Sequence, residues 1–343
     1  MMKFLSSSKL LMFLLALTAV SFTSCEDDDD VLGMDFNDDG TLFISSNTQM
    51  KVGILDTRDS DNRELFTFDA AGADSDGIYF DERGDGLLYQ VNRSANTVVQ
   101  YEDVLDDFND DEGVNISLTS AAGGFSNGRG LTPINNSQFL VADDQDDDDG
   151  DQLVLYSNTN GDAINRVATY NVAFNLWGIR FHDNTLYAVV DNTDSVAVFT
   201  NTDTGLFATA DGGDVVPNRF IKVDGIVRTH GLTFIPQSDL MILTDVGSGA
   251  SDSDGAIIVI RNFSTITGDS ISSANYTRIA GASTRLGNPV DVAYDEENEE
   301  IYVAERLNSG GLLLSFPLDA VGNVAPKTAD TFTGISSLYL NND

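Results

Sequence analysis

Trp177-Gly-Ile-Arg-Phe181, Thr185-Leu-Tyr-Ala-Val-Val-Asp191 and Ser195-Val-Ala-Val-Phe199 follow one another, separated only by His182-Asp-Asn184 and Asn192-Thr-Asp194. Short runs rich in β-branched and aromatic residues, punctuated by Asn and Asp, read as antiparallel strands joined by tight turns. The triplet recurs. His230-Gly-Leu-Thr-Phe234 precedes runs at 240–245 and 256–260, and Arg129-Gly-Leu-Thr-Pro133 precedes runs at 139–143 and 152–156. Asp76-Gly-Ile-Tyr-Phe80 precedes runs at 87–92 and 97–101, and Val290-Asp-Val-Ala-Tyr294 precedes runs at 301–305 and 312–316. In this last unit Asp291 stands where the others carry Gly.

A sixth copy is divided between the ends of the chain. Ser337-Leu-Tyr-Leu340 reads as the first strand of a unit that then stops, and Thr41-Leu-Phe-Ile-Ser-Ser-Asn47 as a second strand with no first. An end that supplies what the start lacks is the mark of a closed ring, which leaves no sheet edge open. Equivalent positions 47, 92, 143, 191, 245 and 305 lie 45, 51, 48, 54 and 60 residues apart, enough for a four-stranded blade with variable loops. The expected fold is all-β: one six-bladed β-propeller over residues 40–343, its N- and C-terminal strands sharing one blade. A β-sandwich would not account for the split unit.

The units at 186–199 and 301–316 resemble the NHL repeat of six-bladed propellers. That resemblance implies the architecture and leaves the activity open, because propellers host unrelated functions.

Residues 1–24 read as an export signal, with Lys3 and Lys9 ahead of the apolar run LLMFLLALTAV at 10–20. That run is shorter than the roughly 20 residues a spanning helix needs. Phe22-Thr-Ser-Cys25 resembles the lipobox of bacterial lipoproteins, which implies cleavage before Cys25 and a lipid on its thiol. Cys25 is the only Cys in the chain. Glu26-Asp-Asp-Asp-Asp30 resembles the acidic surface-export signal of Bacteroidota lipoproteins, and residues 25–39 then form an acidic tether. The expected location is the outer membrane, facing outward, with the membrane touched only through the lipid and the domain a monomer.

The 343 residues carry 55 Asp+Glu against 18 Lys+Arg, for a net charge of −37. Such a charge repels nucleic acid and anionic lipid headgroups, so neither is an expected partner. One Cys excludes a disulfide framework and a Cys-ligated zinc site. A surface this acidic suits salty water, where screening damps self-repulsion.

In a propeller blade the start of the innermost strand and the end of the second strand reach the same mouth of the central channel. Two rings of residues therefore converge there. The outer ring is Asn47, Asn92, Asp143, Asp191, Asp245 and Glu305, all acids or amides. Such side chains can cap backbone amides in the following turn. Alternatively they can point inward and hold a hard divalent cation, Ca²⁺ above all. The inner ring is Asp76, Arg129, Trp177, His230, Val290 and Ser336. Arg can clamp an anion, Trp can stack on a flat or sugar-like group, and His can act as a base. The same residues could instead close the mouth as packing.

Gluconolactonase-like and paraoxonase-like lactonases are six-bladed propellers with a channel Ca²⁺. Their ligands commonly include Asn just before the repeat Gly. Here Arg129, Trp177 and His230 occupy three of those positions, which disfavours a lactonase of the usual kind. Gly124-Phe-Ser-Asn-Gly128 matches a nucleophile-elbow pattern, but no helix follows it, as that chemistry requires. Asp35, Asn37 and Asp39 match the first half of an EF-hand-type loop without the closing Glu, a candidate peripheral Ca²⁺ site. Residues 143–151 (DDQDDDDGD) read as a solvated acidic loop. The expected function is a binding module for a glycan, a small ligand or a protein partner. The alternatives are a divalent-metal-dependent hydrolase or lyase using His230 as base and Arg129 as anion clamp, and an accessory subunit of an outer-membrane complex.

Overall fold

The computed structural model describes residues 39–342 apart from 59–63, 84–85, 110–112, 146–150, 160 and 249. The export signal, Cys25, most of the tether, Asp35 and Asn37 lie outside the described residues, as does the middle of the acidic loop.

Six sheets form a ring, antiparallel except for a two-residue parallel edge strand added to blade three (Gly213–Asp214) and to blade four (Ser270–Ile271). Blade two is built from Ser75–Asp81, Leu87–Asn92, Thr97–Glu102 and Asn115–Thr119, counted outward from the channel. The innermost strands of blades three to six are Gly128–Asn135, Leu176–His182, Leu232–Ile235 and Pro289–Asp295. Blade one takes its innermost strand, Ile335–Asn341, from the C-terminus and its second, Thr41–Ser46, from the N-terminus. The two pair antiparallel, with Thr41 opposite Asn341 and Ser45 opposite Ser337. The split unit therefore closes the ring as its sequence predicts.

Each blade is packed between two neighbours, so its middle strands are buried on both faces and read as continuous apolar runs. Leu240–Asp245 and Glu300–Glu305 are buried at every position. The core is accordingly six hydrophobic clusters, one at each blade interface. The cluster between blades six and one joins Tyr302 and Leu313 to Leu42, Ile44 and Leu338, so the ends of the chain are held by packing as well as by strand pairing. The fourth strands lie at the rim and alternate, as Thr328–Thr331 does between half-buried and exposed positions. The one α-helix among the described residues, Val104–Asn109, follows the third strand of blade two.

Close packing at the channel depends on glycine. A Cβ on Gly77 would lie 2.4 Å from the Arg129 carbonyl oxygen, and one on Gly178 would lie 2.6 Å from the His230 carbonyl oxygen. Gly130 and Gly231 meet the next blade's backbone in the same way. Asp291 breaks the series, and its side chain takes over the contact. Its carboxylate accepts the Ser337 Oγ–H at 2.8 Å and the Leu338 N–H at 2.9 Å across the junction with blade one.

Candidate functional site

The inner-ring residues are set by β-bulges. Between Ser75 and Ile78, Gly128 and Leu131, and Leu176 and Ile179, the innermost strand gains one residue on its partner. Asp76, Arg129 and Trp177 lie within these bulges, where a residue drops out of the ladder and its side chain is re-aimed. Three of them meet. The Arg129 guanidinium lies 4.0 Å from the centre of the Trp177 ring. The His230 imidazole stacks on that indole at 4.0 Å with an interplanar angle of 8°. Two groups that close to one ring must occupy opposite faces. Both faces of Trp177 are therefore covered, and the stacking surface expected for a ligand is taken up by the protein itself.

An ionic network secures the stack. Arg129 Nε donates to Asp144 at 3.0 Å, and its Nη1 donates to Asp76 at 3.4 Å. Arg93 reaches Asp74 at 3.1 Å and Asp76 at 3.6 Å. On the other side, His230 Nε2 lies 3.0 Å from Asp191 Oδ1 and 2.9 Å from Arg228 Nε. Nε2 can serve only one of them at a time. It accepts from Arg228 when bare and donates to Asp191 when protonated. Burial holds the His230 pKa below its ordinary value against the pull of Asp191, which favours the neutral ring, in which either tautomer is open to Nε2. Nδ1 is buried with no partner in either arrangement. Burial works to raise Asp191 too, but the hydrogen bond with His230 and the Asn192 amide outweigh it and leave Asp191 below the usual range. Asp76 is raised by burial in spite of Arg129 and Arg93.

Beneath the stack the channel holds a cavity of about 370 Å³. Its wall runs from Asp76, Arg129 and Trp177 at one end to Glu296 and Asn342 at the other. A second hollow, lined by Leu155, Tyr170, Phe181 and Phe207, opens between blades three and four.

The outer ring is placed differently from the inward convergence that a channel metal would need. Asp143 Oδ1 accepts the Ser126 and Asn127 amides at 3.0 and 2.7 Å. Asp245 Oδ1 accepts those of Val227, Arg228 and Gly247 at 3.0, 3.0 and 3.1 Å. Glu305 accepts those of Gly287, Asn288, Leu307 and Asn308 between 2.9 and 3.1 Å. Asn92 Oδ1 accepts the Ala95 amide at 3.2 Å. These oxygens tie the second strand to its own turn and, in blades three, five and six, to the segment leading into the innermost strand. Asp191 alone reaches the inner ring, through His230, and the amide of Asn47 is buried with no partner. Among the described residues no group of three or more His, Cys, Asp or Glu side chains could hold a metal ion. Ser126 of the nucleophile-elbow pattern donates through Oγ to Asp143.

Arg93, Asp144 and Arg306 are not ring residues by the sequence criterion. Each directly follows an outer-ring residue, and that offset is the signal that would have found them. Asp291 was visible only as a missing glycine. Burial raises its carboxyl to about 6. The folded state therefore keeps a proton that the unfolded chain, near 3.9, has already released. This group's contribution to stability is full below about pH 4 and is lost as pH rises through about 6. Urea titrations at pH 4, 5, 6 and 7 should show a smaller decline of stability with rising pH in Asp291→Asn than in the unsubstituted protein. Parallel pH profiles would contradict this assignment.

No family model matches the chain, and no curated protein matches it. Solved structures do. The chain is similar to a chain in the crystal structure of a nidogen/laminin complex, with a TM-score of 0.59, 12% identity, and 87% of this chain and 97% of that one covered. It is similar to Kuenenia stuttgartiensis hydrazine synthase, with a TM-score of 0.52, 14% identity, and 80% and 73% covered. It is also similar to a functionally unknown protein from Desulfotomaculum acetoxidans DSM 771, with a TM-score of 0.57, 10% identity, and 89% and 100% covered. At such identities the likeness carries architecture and nothing finer, and the architecture is that of a six-bladed β-propeller.

Proposed function

We propose that this chain is a surface-displayed lipoprotein whose propeller is a binding module. It takes a small ligand, a glycan or a protein partner at the mouth formed by Asp76, Arg129, Trp177 and His230. The observation that carries this reading is the placement of that mouth. Gly40 and Asn341 are bonded at the far end of blade one, so the chain comes in on the face opposite the stack. A tether leading from Cys25 to Gly40 then leaves the charged mouth facing away from the membrane. Cys25→Ser should move the protein from the membrane fraction to the soluble fraction and abolish labelling by a radioactive fatty acid. Retention of both would sink the lipoprotein assignment.

A thermal-shift screen of residues 31–343 with sugars, lactones, Ca²⁺ and Mg²⁺ tests the binding role, because a ligand that binds only the native state raises Tm. The metal-dependent hydrolase finds less support, since the oxygens of Asp143, Asp245 and Glu305 are occupied by backbone amides. Calcium enters through Asp35, Asn37 and Asp39, where Ca²⁺ in the same screen is the test. An accessory subunit would use exposed apolar side chains, which among the described residues include Met50, Ile116 and Val321 on separate blades and Val216 and Phe220 close together in sequence ahead of and within the outer strand of blade four.

A further inference from the structure

Three aromatic rings meet at the hollow between blades three and four. Phe207 stands on the turn Leu206–Ala208, after the third strand of blade four. Its ring centre lies 6.2 Å from that of Tyr170, on the fourth strand of blade three. It lies 6.1 Å from that of Phe181, near the end of blade four's innermost strand. The rings are not stacked: the Phe207 plane is tilted 59° to Tyr170 and 51° to Phe181. All three line one hollow of about 600 Å³, the size of a small-molecule site. Ile134, Leu155 and Val167 complete an apolar wall. Among the described residues no Lys or Arg lies over any of the three rings.

The rim is acidic. Asp211 is already engaged, accepting from Arg166 Nη1 and from the Thr169 amide, both at 2.8 Å. Asp203 is exposed and has capacity to spare. Its Oδ1 accepts the Asn184 side-chain N–H and the Thr204 amide, both at 2.8 Å. Its Oδ2 takes no hydrogen bond or ion pair among the described residues. The hollow also lies away from the mouth. Leu176–His182 runs from Trp177 at the mouth to Phe181 at the other end, and the turns that carry Asn184 and Asp203 are at that other end.

Tilted rings around a hollow turn the negative faces of their π systems toward whatever sits between them, and a carboxylate on the rim adds to that potential. We propose that this hollow binds a small organic cation, a quaternary or alkylated ammonium carried on an apolar body. Phe207, Phe181 and Tyr170 take the ammonium head, Asp203 balances its charge, and Ile134, Leu155 and Val167 take the apolar body. The net charge of −37 favours such a ligand over any anion. At the mouth the same attraction is met internally, by Arg129 over Trp177. The two sites are separate, and this one stands whether or not the mouth binds a ligand.

Isothermal titration of the mature protein is the test, at about 0.15 M ionic strength, where long-range attraction to the acidic surface is largely screened. The probes are choline, benzyltrimethylammonium and the neutral analogue of choline in which a tert-butyl group replaces the trimethylammonium. Choline should bind about 10-fold more tightly than its neutral analogue, and benzyltrimethylammonium more tightly than choline. Phe207→Leu keeps an apolar side chain but removes the π face, so it should weaken both cations about 10-fold and leave the neutral analogue unchanged. Asp203→Asn keeps the Oδ1 acceptor, so it should weaken both cations several-fold with an unchanged Tm. Should Phe207→Leu lower Tm, Asp203→Asn decides. A neutral analogue that binds as tightly as choline would overturn the proposal and leave an apolar pocket with no preference for charge. Cation binding indifferent to both substitutions would overturn it too, because the attraction would then belong to the acidic surface at large. So would the failure of both cations to bind.

Discussion

Gly77→Ala should lower stability by about 3 kcal/mol or more, with a matching fall in the urea midpoint. The added Cβ would lie 2.4 Å from the Arg129 carbonyl oxygen and 2.7 Å from the Leu131 nitrogen. Both are backbone atoms of the next blade, so no side-chain rotation relieves the clash. Relief requires the innermost strands of blades two and three to part, and that junction also holds Arg129 against Asp76. The substitution should therefore also loosen the stack and change Trp177 fluorescence, which reports on the mouth alone because the chain has one Trp. Gly268 has nothing within 4 Å of its added Cβ and is the control. Gly268→Ala should stay within about 0.5 kcal/mol. Equal midpoints for the two variants would show that the blades do not approach as closely as described.

Glu305→Ala should cost about 3–5 kcal/mol. Glu305 is fully buried, and its two oxygens serve the backbone amides of Gly287, Asn288, Leu307 and Asn308. Without the carboxylate these donors face a cavity with no acceptor, in the segment that leads into blade six. Glu305→Gln should cost less, since one acceptor oxygen remains, although its NH₂ then opposes backbone donors. Denaturant curves with EDTA and with Ca²⁺ separate this role from metal binding. A turn cap loses the same stability in both conditions. A metal ligand would show its loss only when Ca²⁺ is present.

The fold was legible because a propeller repeats its burial pattern. Middle strands such as Leu240–Asp245 are enclosed on both faces and appear as unbroken apolar runs. The split copy at 41–47 and 337–340 marked closure without any three-dimensional information. The fourth strands were not legible. Thr328–Thr331 (TADT) lies at the rim with alternate residues exposed, so its composition resembles that of a loop.

The site was partly legible. The position before the repeat Gly picked out Asp76, Arg129, Trp177 and His230, and for the first three the Gly lies in the bulge that turns the side chain toward the mouth. Their use was not legible. A sequence cannot show that Arg129 and His230 cover both faces of Trp177, since each comes from a different blade. Nor does an oxygen-bearing residue at 143 or 245 declare which way it points. Hydrogen bonding to nearby amides competes with metal binding for the same lone pairs, and in Asp143, Asp245 and Glu305 the amides hold them.

Hydrogen–deuterium exchange of the mature protein with and without the best ligand from the thermal-shift screen tests the location of the site most directly. The expected result is ligand-dependent protection in peptides spanning residues 74–78, 127–131, 175–179, 228–232 and 304–308, with the rim strands unchanged. Protection confined to the rim strands, or to the opposite end of the channel around Glu296 and Asn342, would contradict a binding site at the Arg129–Trp177–His230 mouth.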